Sequence, residues 1–294
     1  MKNIRTVMHI SDEMAGGGAE SVFRDTMKAS QENGDVIDYF ISDKKRNFLS
    51  YIFSFKNYKK LYKKLNIFRP DVIHLHNYYH YLTPSILLAI RNYKKHKHCK
   101  VIFTAHDYHL ICPNSGFQYF ENDKAFNFCP DGTDRFIVHK LDRRSWTHSC
   151  LKIMQNFISY KLLKLDNVFD LILCPSNFLK ETLLNYGVKT KCLVVRNPFN
   201  IEEKKMEVPT NKKDGAINLV FFGRLSPEKG IMELIENINK RTTIDINLNL
   251  YGNGILKDEI IASYKRSGFK IIINDFLERS ELHKKIKVFD IFVL

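Results

Sequence analysis

The chain has 294 residues, 44% of them hydrophobic and 27% charged, with 46 lysines and arginines against 32 acids and a formal net charge of +14. That length suits about two domains with a core in each, which excludes a disordered chain. The basic excess predicts an electropositive face that attracts phosphates, nucleic acid or anionic lipid, and charge alone does not choose among them. Residues 1–11 carry only a short apolar stretch before Asp12 and Glu13, so no secretory signal is read there and a cytoplasmic protein is expected. The longest stretch free of formal charge, residues 72–90, holds His74, His76, His80, Asn77 and Pro84, so no transmembrane helix is expected. Cys99, Cys112, Cys129, Cys150, Cys174 and Cys192 form no CxxC pair and read as reduced thiols.

Short apolar runs rich in β-branched residues alternate with longer helical patterns, as in parallel sheets with crossover helices. In chain order, strands are predicted at residues 5–11, 36–42, 71–77, 100–106, 170–176 and 191–197. Helices are predicted at 19–32, 48–65, 81–95, 150–165 and 177–186. Together these make a first doubly wound domain over residues 1–199. Residues 200–215 are polar, without an apolar period, and read as a linker. Alternation resumes with strand 217–223, helix 230–240, strand 245–251, helix 256–267, strand 270–274, helix 280–288 and strand 290–294. The second domain, residues 216–294, is thus a partial Rossmann-like unit, and the fold class is α/β with two parallel sheets.

The charge is unevenly divided: residues 1–198 hold 30 basic and 18 acidic side chains and residues 199–294 hold 16 and 14, so the first part carries +12. Much of it sits at Lys44, Lys45, Arg46, Lys56, Lys59, Lys60, Lys63 and Lys64, interleaved with Phe48, Tyr51, Ile52, Phe55, Tyr58, Tyr62 and Leu65. Two readings of that helix stand side by side. It is either an amphipathic helix for an anionic membrane surface or a crossover helix with a solvated lysine face.

Four places carry candidate chemistry. Gly16, Gly17 and Gly18 follow the first strand and open a helix, where free backbone N–H groups favour an anion. Their spacing lacks the third glycine of GxGxxG, which disfavours a nicotinamide cofactor. His106 and Asp107 follow the fourth strand, at the sheet edge where ligands bind. There a histidine at neutral pH can donate to a reacting hydroxyl or a leaving oxygen, and an adjacent aspartate can bias its tautomer. His74, His76, His80 and His109 are weaker candidates. Arg224 and Lys229, five residues apart around a strand-to-helix turn, suit a diphosphate, and Gly252 repeats the strand-end glycine one unit later. Cys112, Cys129, Cys150 and His148 lie in or beside the long segment after the fourth strand, too widely spaced for most structural zinc sites. Tyr108, Phe117, Tyr119, Phe120, Asn122 and Asp123 in that segment would suit a lid over a polar acceptor.

With GGGAE at 16–20, DVIHLHN at 71–77, TAHDYHLICP at 104–113, CPSNFLKE at 174–181, VVRNPF at 194–199 and above all FFGRLSPEKG at 221–230, the chain resembles the retaining GT-B glycosyltransferases of family four, particularly bacterial enzymes of O-antigen and capsule synthesis. The resemblance implies two Rossmann-like domains, the first for an acceptor and the second for a nucleotide diphosphate sugar. It implies that Arg224 and Lys229 hold the donor diphosphate and stabilise the leaving phosphate with no metal or other cofactor required. It implies that Gly17 and Gly18 bring amides near the diphosphate, that His106 and Asp107 lie by the transferred sugar, and that Gly252, Phe276 and Leu277 border the nucleotide. The partners so implied are a nucleotide sugar and a saccharide or lipid-linked acceptor; the basic first domain fits an anionic membrane surface at the inner face of the cell membrane, and no nucleic acid is expected because the short signatures of its binding modules are absent. Relatives continue past FDIFVL into a pair of glutamates that bind donor hydroxyls, so a truncated chain acting only as an acceptor or membrane-binding module is the alternative expectation.

Overall fold

The computed structural model describes residues 4–43, 48–122, 124–198, 215–241, 244–264, 268–277 and 279–293. The expected linker falls almost wholly outside the described residues, as do Lys44, Lys45, Arg46 and Asp123. The chain divides into two compact units, Met1–Ile201 and Glu202–Leu294.

The first unit runs β1 (Thr6–Ile10), α1 (Gly18–Glu32), β2 (Val36–Phe40), α2 (Phe55–Phe68), β3 (Val72–Leu75), α3 (Ser85–Lys94), β4 (Lys100–Thr104), β5 (Gln118–Glu121), β6 (Lys124–Asn127), α4 (Trp146–Asn156), β7 (Leu171–Cys174), α5 (Asn177–Asn185) and β8 (Cys192–Val194). Its main sheet has the order β2-β1-β3-β4-β7-β8, all parallel. Both faces of such a sheet are covered by helices, which is why Val7, Met8, His9 and Ile10 are all buried. Met8 and Ile10 join the core that Leu61 and Leu65 of α2 and Ile86 and Ile90 of α3 complete. Val7 and His9 point to the other face, where the ring of Phe23 from α1 lies 6.4 Å from that of His9. The order reverses between β1 and β3, and their carboxyl ends open the crevice in which doubly wound sheets bind ligands.

The second unit runs β9 (Ile217–Phe222), α6 (Ile231–Arg241), β10 (Ile246–Tyr251), α7 (Lys257–Tyr264), β11 (Lys270–Asn274), α8 (Arg279–Lys285) and β12 (Ile291–Val293). These strands form a parallel sheet of order β11-β10-β9-β12. Its reversal point lies between β9 and β12, so the end of β9 carries the corresponding crevice. Leu219, Phe221, Leu248, Leu250 and Ile271 of the strands pack with Ile231 and Ile235 of α6 and Ile260 of α7.

Three helices differ from the sequence reading, each because a side chain claims backbone groups. The predicted helix 48–65 is broken into a 3-10 turn at Phe48–Tyr51 and α2, since Ser54 Oγ caps α2 by accepting the Asn57 N–H at 3.2 Å. The helix predicted from residue 81 begins at Ser85, because the amides of His80, Tyr81 and Leu82 donate instead to the Asp12 carboxylate at 2.8, 2.9 and 2.7 Å. The helix predicted from residue 150 begins at Trp146, capped by Ser145 Oγ on the His148 N–H at 3.2 Å. The hairpin β5–β6 was not anticipated.

Leu61 and Leu65 are fully buried, Tyr58, Tyr62 and Phe68 pack against the same core, and buried Asn57 donates to the carbonyls of Tyr81 and Leu82 at 3.0 and 3.1 Å. The apolar stripe of α2 is therefore a core stripe, as the crossover reading requires. Part of its lysine face is neutralised, Lys56 and Lys60 by Asp43 and Lys64 by Asp38. Leu61→Ala is expected to cost about 2–5 kcal/mol, the usual range for a buried leucine. Phe55→Ala, at a side chain 70% exposed, should stay within about 0.5 kcal/mol. Urea unfolding of both variants checks this, and equal effects would contradict a core stripe.

Candidate functional site

The crevice of the first unit is built on Asp12, which the sequence reading passed over. Its carboxylate is buried and accepts three successive amides of the chain after β3, while its own N–H donates to Asn77 O at 2.7 Å and its carbonyl accepts the Ser42 N–H at 3.1 Å. Burial pushes its carboxyl up from the ordinary range while His80 and the three amides pull it back. Asp12 thereby ties the ends of β1, β2 and β3 together at one edge.

Gly17 and Gly18 are exposed at the start of α1, beside that edge. The Gly17 N–H is taken by Glu20 Oε2 at 2.7 Å, and glycine has no side-chain oxygen to return the bond, so only half of a reciprocal cap forms. An anion at this terminus would meet the Glu20 carboxylate, which Asn77 Nδ2 also approaches at 3.5 Å. The helix start lies beside the crevice, with the Glu20 carboxylate already on the Gly17 amide.

His106 follows β4 and is half-buried. Its Nε2 lies 3.0 Å from His76 Nδ1, and the two rings stack at 5.2 Å. This corrects the expected role of Asp107 as the group that sets the tautomer. The Asp107 carboxylate turns away, accepting the Tyr79 hydroxyl and the His109 N–H at 2.9 Å, and burial raises it to about 6. His109 in turn stacks on Tyr79 with ring centroids 3.6 Å apart. The partner of His106 was legible in principle, because His74 and His76 sit two apart in DVIHLHN and so share one sheet face.

Behind that pair the histidines continue inward. His9 faces His74 across β1 and β3 in register, with rings 5.6 Å apart, and His74 lies 4.6 Å from His76. His74 Nε2 meets Thr104 Oγ1 at 2.8 Å. Burial lowers His9 and His106 to about 4, His74 to about 3, and His76 well below its ordinary value. All four rings are neutral at pH 7.

In the second unit, Arg224 and Lys229 are both exposed, and neither side chain has an ion-pair or hydrogen-bond partner among the described residues. The backbone that carries them is tightly held. Gly223 N–H donates to Tyr251 O at 2.9 Å, Leu225 N–H to Asn253 O at 3.0 Å, and Leu256 N–H to Leu225 O at 3.1 Å. A Cβ on Gly252 would lie 1.9 Å from Gly223 O and one on Gly254 2.1 Å from Leu225 O, so both positions exclude any side chain. Gly252 also has φ +146°, which L-residues rarely adopt. The glycines after β10 thus let one strand-end loop lie flat on the next. Phe276, 68% exposed, and half-buried Leu277 follow β11, the next strand along, so these sequence-predicted residues share one sheet edge.

The segment expected to suit a lid is anchored by a packed aromatic layer. Phe117 and Phe128 are buried, Tyr108 stands 4.6 Å from Phe117, and Phe136 stands 4.8 Å from Phe128 and 5.3 Å from Tyr186. Cys112 is buried while Cys129 and Cys150 are exposed, and His148 Nδ1 is bonded to Ser145 Oγ at 2.7 Å, so that set gathers no metal site. Among the described residues no helix is long and apolar enough to cross a membrane.

The family model for Glycosyltransferase Family 4 matches residues 5–203, two thirds of the chain and all of the first unit's sheet. The chain belongs to glycosyltransferase family 4. Among solved structures it is similar to the lipopolysaccharide outer core galactosyltransferase WaaB, at 17% identity and TM-score 0.57, covering 99% of this chain and 74% of that one. It is similar to sucrose-phosphate synthase from Thermosynechococcus elongatus, at 12% identity and TM-score 0.61, covering 98% and 74%. HepE of Anabaena, solved with UDP and glucose, matches at 13% identity and TM-score 0.54, covering 93% and 70%. At such identities the likeness is one of fold, two Rossmann-like units of the GT-B type. No curated protein matches the sequence.

Two predictions follow from this geometry. The unfolded chain takes up protons near pH 6.5 that the folded histidines refuse until about 4, so the unfolded state binds more protons in between, and stability is lost as pH falls through that window. Asp12 and Asp107, raised by burial, act with the opposite sign, but the buried histidines outnumber them. The urea midpoint should therefore fall between pH 7 and pH 5, less so in His9→Leu, and a flat or rising midpoint contradicts the assignment. Gly252→Ala should cost the second unit about 2 kcal/mol or more by overpacking, read as a lowered midpoint of its urea transition, whereas Gly18→Ala, with nothing within 4 Å of the new methyl, should cost little.

Proposed function

We propose that the protein transfers a sugar from a nucleotide diphosphate sugar to a saccharide acceptor, with Arg224 and Lys229 holding the donor diphosphate. The observation that carries this reading is a pair of exposed cations, unpaired among the described residues, on a loop whose backbone is pinned at the switch point of a parallel sheet. A pinned loop keeps its cations in place as negative charge grows, so no reorganisation is needed when the bond to the sugar breaks. As that bond breaks, its electron pair passes to the diphosphate oxygen, and the guanidinium and ammonium groups stabilise the charge without a metal ion. Phe276 and Leu277, following the strand next to β10, would flank the nucleotide.

The first unit supplies the acceptor side. His106 is neutral at pH 7 and its Nε2 is committed to His76, which leaves Nδ1 to bond a sugar hydroxyl. It therefore orients the reacting sugar and carries no charge of its own. Gly17 and Gly18 would offer amides to the diphosphate once Glu20 gives way. Retention of anomeric configuration, a hexosyl donor, a lipid-linked acceptor and a role in surface polysaccharide synthesis belong to the same proposal. So does work at the inner membrane face, where the excess charge of the first unit would meet anionic lipid. The UDP complex of HepE supports a uridine nucleotide as the first ligand to try. Nucleic acid is not proposed as a partner. An α-glucosyltransferase solved with DNA shares the fold at 13% identity, which speaks for the fold alone.

Calorimetric titration with UDP tests the proposal. Arg224→Ala and Lys229→Ala should each weaken binding by at least about 1.5 kcal/mol, roughly tenfold in Kd, the worth of a hydrogen bond to a charged group. If the wild type and both variants bind UDP alike, the diphosphate assignment is wrong.

A further inference from the structure

The innermost part of the histidine file has no task in glycosyl transfer, yet it is costly to keep. His9 is fully buried and neither of its ring nitrogens has a hydrogen-bond partner, and His76 Nε2 is likewise buried and unpartnered. A buried polar atom without a partner forfeits its hydration with no return, and here three such atoms stand together. His9, His74 and His76 each offer a ring nitrogen, and those nitrogens all lie within 4.8 Å of one another. We propose that His9, His74 and His76 form a three-histidine site for a borderline divalent cation of the zinc class.

The chemistry of the donor set fits such an ion. Imidazole suits zinc, copper and nickel, and the absence of a carboxylate from the set argues against magnesium or calcium. Ligating histidines must be neutral, and burial keeps these rings so. A metal-bound histidine normally donates its other ring N–H to a fixed acceptor. Two such partners are already in place: Thr104 Oγ1 on His74 Nε2 at 2.8 Å, and His106 Nε2 on His76 Nδ1 at 3.0 Å. Those bonds leave one ring nitrogen each of His74 and His76 available to an ion, and both ring nitrogens of His9 are unpartnered. Tetrahedral zinc at about 2.0–2.1 Å needs nitrogens about 3.4 Å apart, so the rings must close by about an ångström through side-chain rotation. Three neutral ligands leave a fourth position for water or hydroxide. Occupancy would also fix a proton on His76 Nδ1 and hence on the outward Nδ1 of His106, linking the ion to the sugar-facing atom.

The test uses the full chain, stripped with a chelator and titrated with zinc sulfate in a His96→Gln/His98→Gln background that removes two exposed histidines. One equivalent of zinc should bind and raise Tm. His9→Leu should weaken that binding by at least about 100-fold, and Thr104→Val, which removes only the outer partner of His74, by about tenfold. Long-range ¹H–¹⁵N spectra of the unmutated chain need no variant to fold, and should show zinc shifting the ring nitrogens of His9, His74 and His76. Uptake of no zinc, equal binding by His9→Leu, or ring nitrogens of these three that do not respond would overturn the site.

Discussion

A parallel sheet delivers the carboxyl end of every strand to one edge, and the structure depends on how the loops leaving that edge are held by backbone contact. In the first unit the Asp12 carboxylate gathers three consecutive amides and stops α3 from starting early. In the second, Gly252 and Gly254 remove the side chains that would push their loop off Gly223 and Leu225. Both devices fix the loops beside a reversal in strand order, where the sheet itself opens a crevice. Arg224 stands where it does because of the glycine contacts, and His106 is held beside the first crevice by its bond to His76.

The two edges differ in electrostatic character. The second presents bare cations on a stiff loop, an arrangement that costs little while solvated and gains most when an anion arrives. The first presents neutral imidazoles backed by further imidazoles, with Glu20 at the helix terminus. A neutral, hydrogen-bonding edge suits sugar hydroxyls, and a cationic edge suits phosphate. That division matches a family in which the leaving group is charged and the transferred group is not.

Much of this was legible in the sequence. Alternation of apolar runs with helical periods placed the strands of both parallel sheets to within three residues, and FFGRLSPEKG marked the second crevice through its strand, basic turn and helix. What escaped was side-chain capping, local in two cases and long-range in one. Ser54, Ser145 and Asp12 each redirect a helix start by bonding amides, and only the Asp12 case joins residues about 70 apart. The role given to Asp107 failed because adjacency in sequence after a strand does not mean adjacency of side chains, which point to opposite faces. The aromatic segment read as a lid is anchored by Phe117 and Phe128 in the core, while the hairpin between them, two four-residue strands, stays half-buried to exposed. The lysine-rich helix could not be decided by periodicity, since a membrane stripe and a core stripe have the same spacing.

The most direct test of the central claim is an amide ¹H–¹⁵N spectrum of the chain with and without UDP. The account predicts that the largest shifts fall on residues 223–231, with smaller ones at Gly252 and after β11. Shifts confined to the first unit, or absent from residues 223–231, would contradict it.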